Sequence, residues 1–241
     1  MRRCVAAVVV LAGCGRFSFD AQPAHTDGAS GDLGSVRRDC EGHETALFCD
    51  GFEDAALAAW QLTGMVSQMA SDTVRGNAAL LAETQTSQQT SHALVDFAAV
   101  TSGTLNVRGW FFVPSGHQIV HFDLLDIKAV PSGGGLAILA YQDELVLYQN
   151  TVTPDGVAMQ AIAFPVDRWL CIELQLQVAD PGSATLLLDG AVVSSFTGID
   201  MLPANGFSRL TVGIPWTDAG QTPARAFTDE VVLDTKPIGC N

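Results

Sequence analysis

From Cys49 onward the chain is a succession of short β-type runs broken by Gly, Pro, Asp and Ser turns. No segment keeps an amphipathic 3.6-residue period with caps for more than about two turns. A helix needs that period to bury one stripe, so a fold carried by helices is excluded and the chain reads as all-β. Expected strands are 93–97, 104–113, 118–128, 136–141, 144–148, 169–178, 184–188, 191–196, 209–215 and 227–234. Gln142-Asp143 and, more strongly, Asp189-Gly190 read as two-residue hairpin turns. Residues 53–60 are expected to form one helical turn. About ten or more strands in about 200 residues suit two packed antiparallel sheets, a jelly-roll β-sandwich.

Alternation assigns the faces, because successive strand side chains point to opposite sides. In 104–113, Leu105, Val107, Gly109, Phe111 and Val113 share one face and Asn106, Arg108, Trp110 and Phe112 the other. In 169–178, Ile172, Leu174, Leu176 and Val178 face a core opposite Glu173, Gln175 and Gln177. Trp60 and Trp169 are expected in the core. Trp110, Tyr148 and Trp216 are candidates for stacking against sugar rings, with Arg108, Glu173 and Gln175 as hydrogen-bonding partners. In His121-Phe122-Asp123-Leu124-Leu125-Asp126 the alternation puts His121 and Asp123 on one face and Asp126 on the other, so the two acids are not expected to serve one substrate.

Charge narrows the partners. Twelve Lys and Arg against 26 Asp and Glu give a formal net charge of −14, so no basic field exists to hold phosphates and nucleic-acid binding is excluded. No G-x-S-x-G occurs, and Gly133-Gly134-Gly135 lacks the Lys-Ser/Thr of a phosphate loop.

At the N-terminus, Arg2 and Arg3 precede an apolar run to Gly13 that has the length of a signal-peptide core and is too short to span a bilayer. It runs into Leu11-Ala12-Gly13-Cys14, which resembles the lipobox of bacterial lipoproteins. That resemblance implies cleavage of 1–13, lipidation of Cys14, and an envelope protein held to the membrane through its lipid. Gly15 is not the aspartate of inner-membrane retention, which points to the outer membrane. Residues 14–39 then form a lipidated, flexible Gly/Ser/Ala/Asp tether, and the folded domain is 40–241. The remaining cysteines, Cys40, Cys49, Cys171 and Cys240, suit two disulfides in an exported protein. Three connectivities are open; the favoured one pairs Cys40 with Cys49 and Cys171 with Cys240. With no CxxC and no ligand spacing among five histidines, zinc is not expected.

Three places resemble one superfamily. Phe48-Cys49-Asp50-Gly51-Phe52-Glu53 followed by Trp60, with Gly76-Asn77-Ala78-Ala79-Leu80, is similar to the opening of concanavalin A-like lectin/glucanase jelly rolls. Trp169-Leu170-Cys171-Ile172-Glu173 and the hairpin at Asp189-Gly190 resemble laminin-G-like domains, as does the closing run Phe227–Leu233. The resemblance implies a sandwich whose first and last strands are neighbours and whose concave sheet carries sugar. It also implies a structural calcium there, on Glu53 and Asp229 with carbonyls near Gly51 and Gly76.

Glycosidases of that superfamily carry an E-x-D-x-x-E strand, which is absent, and Tyr148-Gln149-Asn150 only faintly echoes a lyase site. The expected function is therefore a non-catalytic module binding a glycan or a protein surface. A divergent polysaccharide hydrolase or lyase, favoured by clustering of His121, Asp123 and Arg108, is one alternative. A structural envelope lipoprotein without a small ligand is the other.

Overall fold

The computed structural model describes residues 42–70, 73–149, 151 and 157–240, of which 157–161 by backbone only. Cys14, the tether and Cys40 lie outside the described residues. In chain order the strands are β1 (Phe48–Asp50), β2 (Gln61–Thr63), β3 (Met65–Met69), β4 (Ala79–Glu83), β5 (Ser91–Val100), β6 (Gly103–Phe112), β7 (His121–Lys128) and β8 (Gly135–Tyr141). They continue as β9 (Glu144–Gln149), β10 (Val157–Ala163), β11 (Leu170–Val178), β12 (Gly182–Leu188), β13 (Ala191–Ile199), β14 (Phe207–Ile214) and β15 (Arg225–Asp234).

The first sheet runs β13-β12-β11-β6-β15-β4-β3, with β1 also on β15; the second runs β10-β9-β8-β7-β14-β5-β2. The pairings are antiparallel, and the first and last strands are neighbours. All ten expected strands are present. The two predicted hairpins also form as expected: Gln142 and Asp143 have φ of 48° and 62°, Asp189 and Gly190 of 50° and 81°. Positive φ at both central residues matches the turn to the right-handed twist of the strands. The helical turn expected at 53–60 is not there. Leu57 N bonds Asp54 O and Trp60 N bonds Leu57 O, both at 2.9 Å, and Leu57 at φ 48° stops the helical path between them.

The core lies between the inner faces, filled by Leu105, Val107, Phe111, Ile172, Leu174 and Leu186 from the first sheet and Leu125, Ile127, Ile138, Leu147, Leu210 and Val212 from the second. Each such burial contributes about 1.5–3 kcal/mol. Trp60 is buried as expected, stacked on Phe52 and edge-on to Phe48, its Nε1 donating to Asp50 at 2.6 Å.

Two register shifts alter the alternation. On β7 the pairing with β8 passes from Asp123↔Leu139 to Leu125↔Ile138, so Leu124 and Leu125 both turn into the core. On β15 the pairing with β6 passes from Asp229↔Trp110 to Val232↔Arg108, with Glu230 at φ 51°. The first shift builds one polar site and the second builds another.

Candidate functional site

The face chosen from the sequence does assemble: β11 lies beside β6 with Glu173 opposite Arg108, Gln175 opposite Asn106 and Cys171 opposite Trp110. The C-terminal segment covers it. Glu173 accepts from Ile238 N and Gly239 N, both at 2.9 Å, and Arg108 donates to the carbonyls of Gly239 and Glu230, each at 3.3 Å. Arg108 also ion-pairs with Glu230 at 3.5 Å, and Gln175 donates to Glu173 at 3.0 Å. A disulfide joins Cys171 to Cys240, as expected, and Cys49 is disulfide-bonded too. Arg108 is fully buried and Glu173 is 1% exposed. Their polar groups fasten the chain's own tail, which corrects their reading as ligand contacts. Burial lowers the Arg108 pKa, opposed by the charge of Glu230.

Tyr148 stands on the other sheet, packed against Ala137, Leu139 and Val146 on its outer side. In register with it run Ala137, Asp126 and Thr211 on β8, β7 and β14. The bulge at Leu124 explains why Asp126 is there. Strict alternation would point it away from Asp123, whereas two consecutive core leucines return it to the same side. The expectation that the two acids face apart is thereby overturned.

Asp126 is fully buried, and Lys128 pairs with its Oδ2 at 2.5 Å. No N–H reaches its Oδ1, and the Asp123 carboxyl is hydrogen-bonded to the Asp126 carboxyl. Burial first, then the charge of Asp126, raises Asp123 well above the usual carboxylate range, while Lys128 acts the other way. His92, on β5, is lowered by burial against the charge of Asp126, and its Nδ1 is buried without a partner. Arg209 and Asp96 complete the face with a bidentate pair at 2.7 and 2.9 Å.

At the start of β7, His121 lies 4.4 Å from the Trp216 ring and 5.0 Å from Tyr141. The segment 216–218 is fixed there by Asp123 N to Trp216 O, Asp218 N to His121 O, and a bridge between Phe122 and Thr217. Buried Gln221 accepts from the amides of Val120 and His121, both at 2.9 Å. Burial lowers the His121 pKa, with Asp218 opposing. Asp123 Oδ1 is 4.0 Å from His121 Nε2. His121 and Asp123 therefore cluster, whereas Arg108 belongs to the opposite sheet. The sequence reading missed His92 and Tyr141 and misplaced Asp126; the adjacent leucines in D-L-L-D were the available signal of a bulge.

The acids expected to hold calcium bracket one loop. Asp229 accepts from Val74 N at 2.9 Å, Arg75 N at 3.3 Å and Glu230 N at 2.8 Å. Burial pushes it up to about 6 despite those bonds. Glu53 Oε1 accepts from Asn77 N at 2.6 Å and Ala78 N at 3.0 Å. Gly76 is required between them: at φ 66°, an added Cβ would stand 2.1 Å from Glu53 Oε1. Both carboxylates are hard oxygen donors that fit calcium in kind. Among the described residues, no group of three or more His, Cys, Asp or Glu is placed to hold a metal ion.

No known sequence family matches the chain, and no curated protein does. Solved structures do. An endo-β-1,4-glucuronan lyase from the fungus Trichoderma reesei superposes with a TM-score of 0.61 at 16% identity, covering 80% of this chain and 96% of its own. A cellulose-induced protein, Cip1, gives 0.61 at 14%, covering 80% and 100%. The botulinum neurotoxin serotype G binding domain gives 0.57 at 8%, over 80% of this chain and 48% of that one. A binding domain of botulinum neurotoxin DC in complex with SialylT gives 0.55 at 9%, over 74% and 43%. At these identities the likeness concerns architecture: the described chain is a two-sheet antiparallel β-sandwich with a jelly-roll fold of concanavalin A-like type.

Proposed function

We propose that this chain binds a carbohydrate on the outer face of the second sheet and does not act on it chemically. One observation carries the reading. Asp126, a side chain with no exposure, lies on the outer side of β7, its Oδ2 paired with Lys128 and its carboxyl hydrogen-bonded to that of Asp123. A row of polar groups beside an apolar patch and aromatic rings has the composition of a ligand site. Tyr148 and Trp216 are the stacking surfaces, and Asp126, Lys128 and His92 the hydrogen-bonding groups. That the solved neighbours include a lyase of glucuronan and a toxin binding domain in complex with SialylT supports a glycan as the ligand class.

Affinity electrophoresis of the full chain in a panel of soluble polysaccharides tests this. Retardation abolished by Trp216→Ala or Tyr148→Ala supports it; mobility unchanged in every polysaccharide refutes it and favours a protein surface as the partner. The second reading, a divergent polysaccharide lyase or hydrolase, draws on the clustering of His121 with a buried, raised Asp123. New reducing or unsaturated ends in the same panel would establish it.

The same proposal includes the tether. Cys14 carries lipid that holds domain 40–241 to the envelope, in the outer membrane, and Cys14→Ser moves the protein from the membrane to the soluble fraction. It also includes a structural calcium on Glu53 and Asp229, two carboxylates that bracket one loop and would exchange N–H partners for the ion. Calcium should raise the melting temperature, chelator should lower it, and Glu53→Gln should remove the difference.

A further inference from the structure

We infer that the ligand of this face is an uncharged polyhydroxyl chain and that polyuronates are excluded. The inference rests on the carbohydrate reading above and names its substrate class. A uronate brings one carboxylate per sugar, and burying a carboxylate requires a cation or several hydrogen-bond donors. Among the described residues, the cations of this face are already paired with its own acids.

Seven Lys and Arg fall among the described residues: Arg75, Arg108, Lys128, Arg168, Arg209, Arg225 and Lys236. Only Lys128 and Arg209 lie on this face, in register with each other across β7 and β14. Each is already held by an acid of the same face, Lys128 by Asp126 and Arg209 by Asp96. Arg108, Arg168 and Arg225 are paired elsewhere, with Glu230, Asp189 and Glu83. Arg75 adjoins the loop bonded to Asp229, and Lys236 follows β15, both at the first sheet. The segment 150–156, Asn-Thr-Val-Thr-Pro-Asp-Gly, contains no Lys or Arg.

The acids outnumber those cations. Asp96, Asp123 and Asp126 stand on the face, and Asp218 and Glu144 adjoin His121 and Tyr141 at its end. An approaching carboxylate meets repulsion from this set, and burial holds His92 and His121 towards their neutral forms.

Hydrogen-bond chemistry gives the same answer independently of net charge. Asp126 and Asp123 are both carboxyls, hydrogen-bonded to each other, and Lys128 is the cation on Asp126. Two carboxyls sharing at most one proton are short of donors. A sugar hydroxyl can donate to the acids of this face, whereas a uronate carboxylate is a further acceptor. A neutral glycan can also lay its apolar ring face on Tyr148 and on the Ala137, Leu139 and Val146 patch.

The test compares the full-length chain in matched gels containing neutral soluble polysaccharides (a β-glucan, a xylan, a mannan) or polyuronates (glucuronan, polygalacturonate). The expected result is retardation by at least one neutral polymer and by neither uronan. Asp126→Asn, with folding checked by circular dichroism, removes the acid that holds Lys128 and should increase retardation by a uronan relative to the wild type. Retardation by a uronan that salt suppresses, with no neutral polymer bound, overturns the inference and leaves the carbohydrate reading standing. Retardation by neither class overturns both. The wild-type comparison decides between the classes even where Asp126→Asn does not fold.

Discussion

Replacing Arg108 by methionine tests whether the face of β6 and β11 is a clamp on the chain's own tail. Arg108 is fully buried, its guanidinium shared between the Glu230 carboxylate at 3.5 Å and the carbonyls of Glu230 and Gly239 at 3.3 Å. Methionine retains most of the apolar stem and removes the charge. Glu230, 4% exposed, is then a buried carboxylate without its cation. Breaking one side of such a pair costs about 3–5 kcal/mol. Against the roughly 5–15 kcal/mol that holds a typical domain, that is a large fraction. The double variant Arg108→Met/Glu230→Leu removes both charges, and most of the loss should return, because a buried pair is often replaced by apolar side chains at little net cost. Urea unfolding of the oxidised proteins measures this as a shift of midpoint at constant slope. A single-variant loss below about 1 kcal/mol, or a double variant no more stable than the single, refutes the reasoning. Polysaccharide binding by folded Arg108→Met should be unchanged.

Removing the Cys171–Cys240 bridge by Cys171→Ala/Cys240→Ala opens a loop with a sequence separation of 69 and should destabilise by about 4 kcal/mol in the chain-entropy account, read from the same urea curves. Gly190→Ala should cost about 1 kcal/mol in the same assay; nothing lies within 4 Å of the added Cβ, so the whole effect comes from φ 81°. His121, lowered below its ordinary 6.5 by burial, gives a pH dependence of definite sign. Between its folded pKa and 6.5 the unfolded chain binds a proton that the folded chain does not, so stability falls as pH drops through that window. His121→Gln should flatten that slope in unfolding curves taken at successive pH values, and an unchanged slope would place its origin elsewhere.

Much of this molecule is local physics and was therefore legible in the sequence. Period-two alternation put Leu105, Val107, Phe111, Ile172 and Leu174 in the core, where they lie, because that pattern depends only on neighbouring residues. Asp189-Gly190 fixed a hairpin because few residue pairs hold two positive φ angles. The grouping of Arg108 with Glu173 on one candidate face followed from alternation, on the assumption that their strands line one sheet, which they do. The meaning of that adjacency did not, because the segment covering it arrives from the far end of the chain, 65 residues after Glu173. The site on β7 was hidden for a related reason. His92 feels the charge of Asp126 because only β14 separates β5 from β7, an order set by the sheet as a whole. Asp126 meets Asp123 because core packing draws two successive leucines inward and shifts the register by one residue. The sequence alone determined which residues form strands and where hairpins turn, since both are decided within a few residues. Only the tertiary structure decided which polar face is closed by the chain and which gathers two buried carboxyls with a lysine, since both depend on how the strands pack and pair.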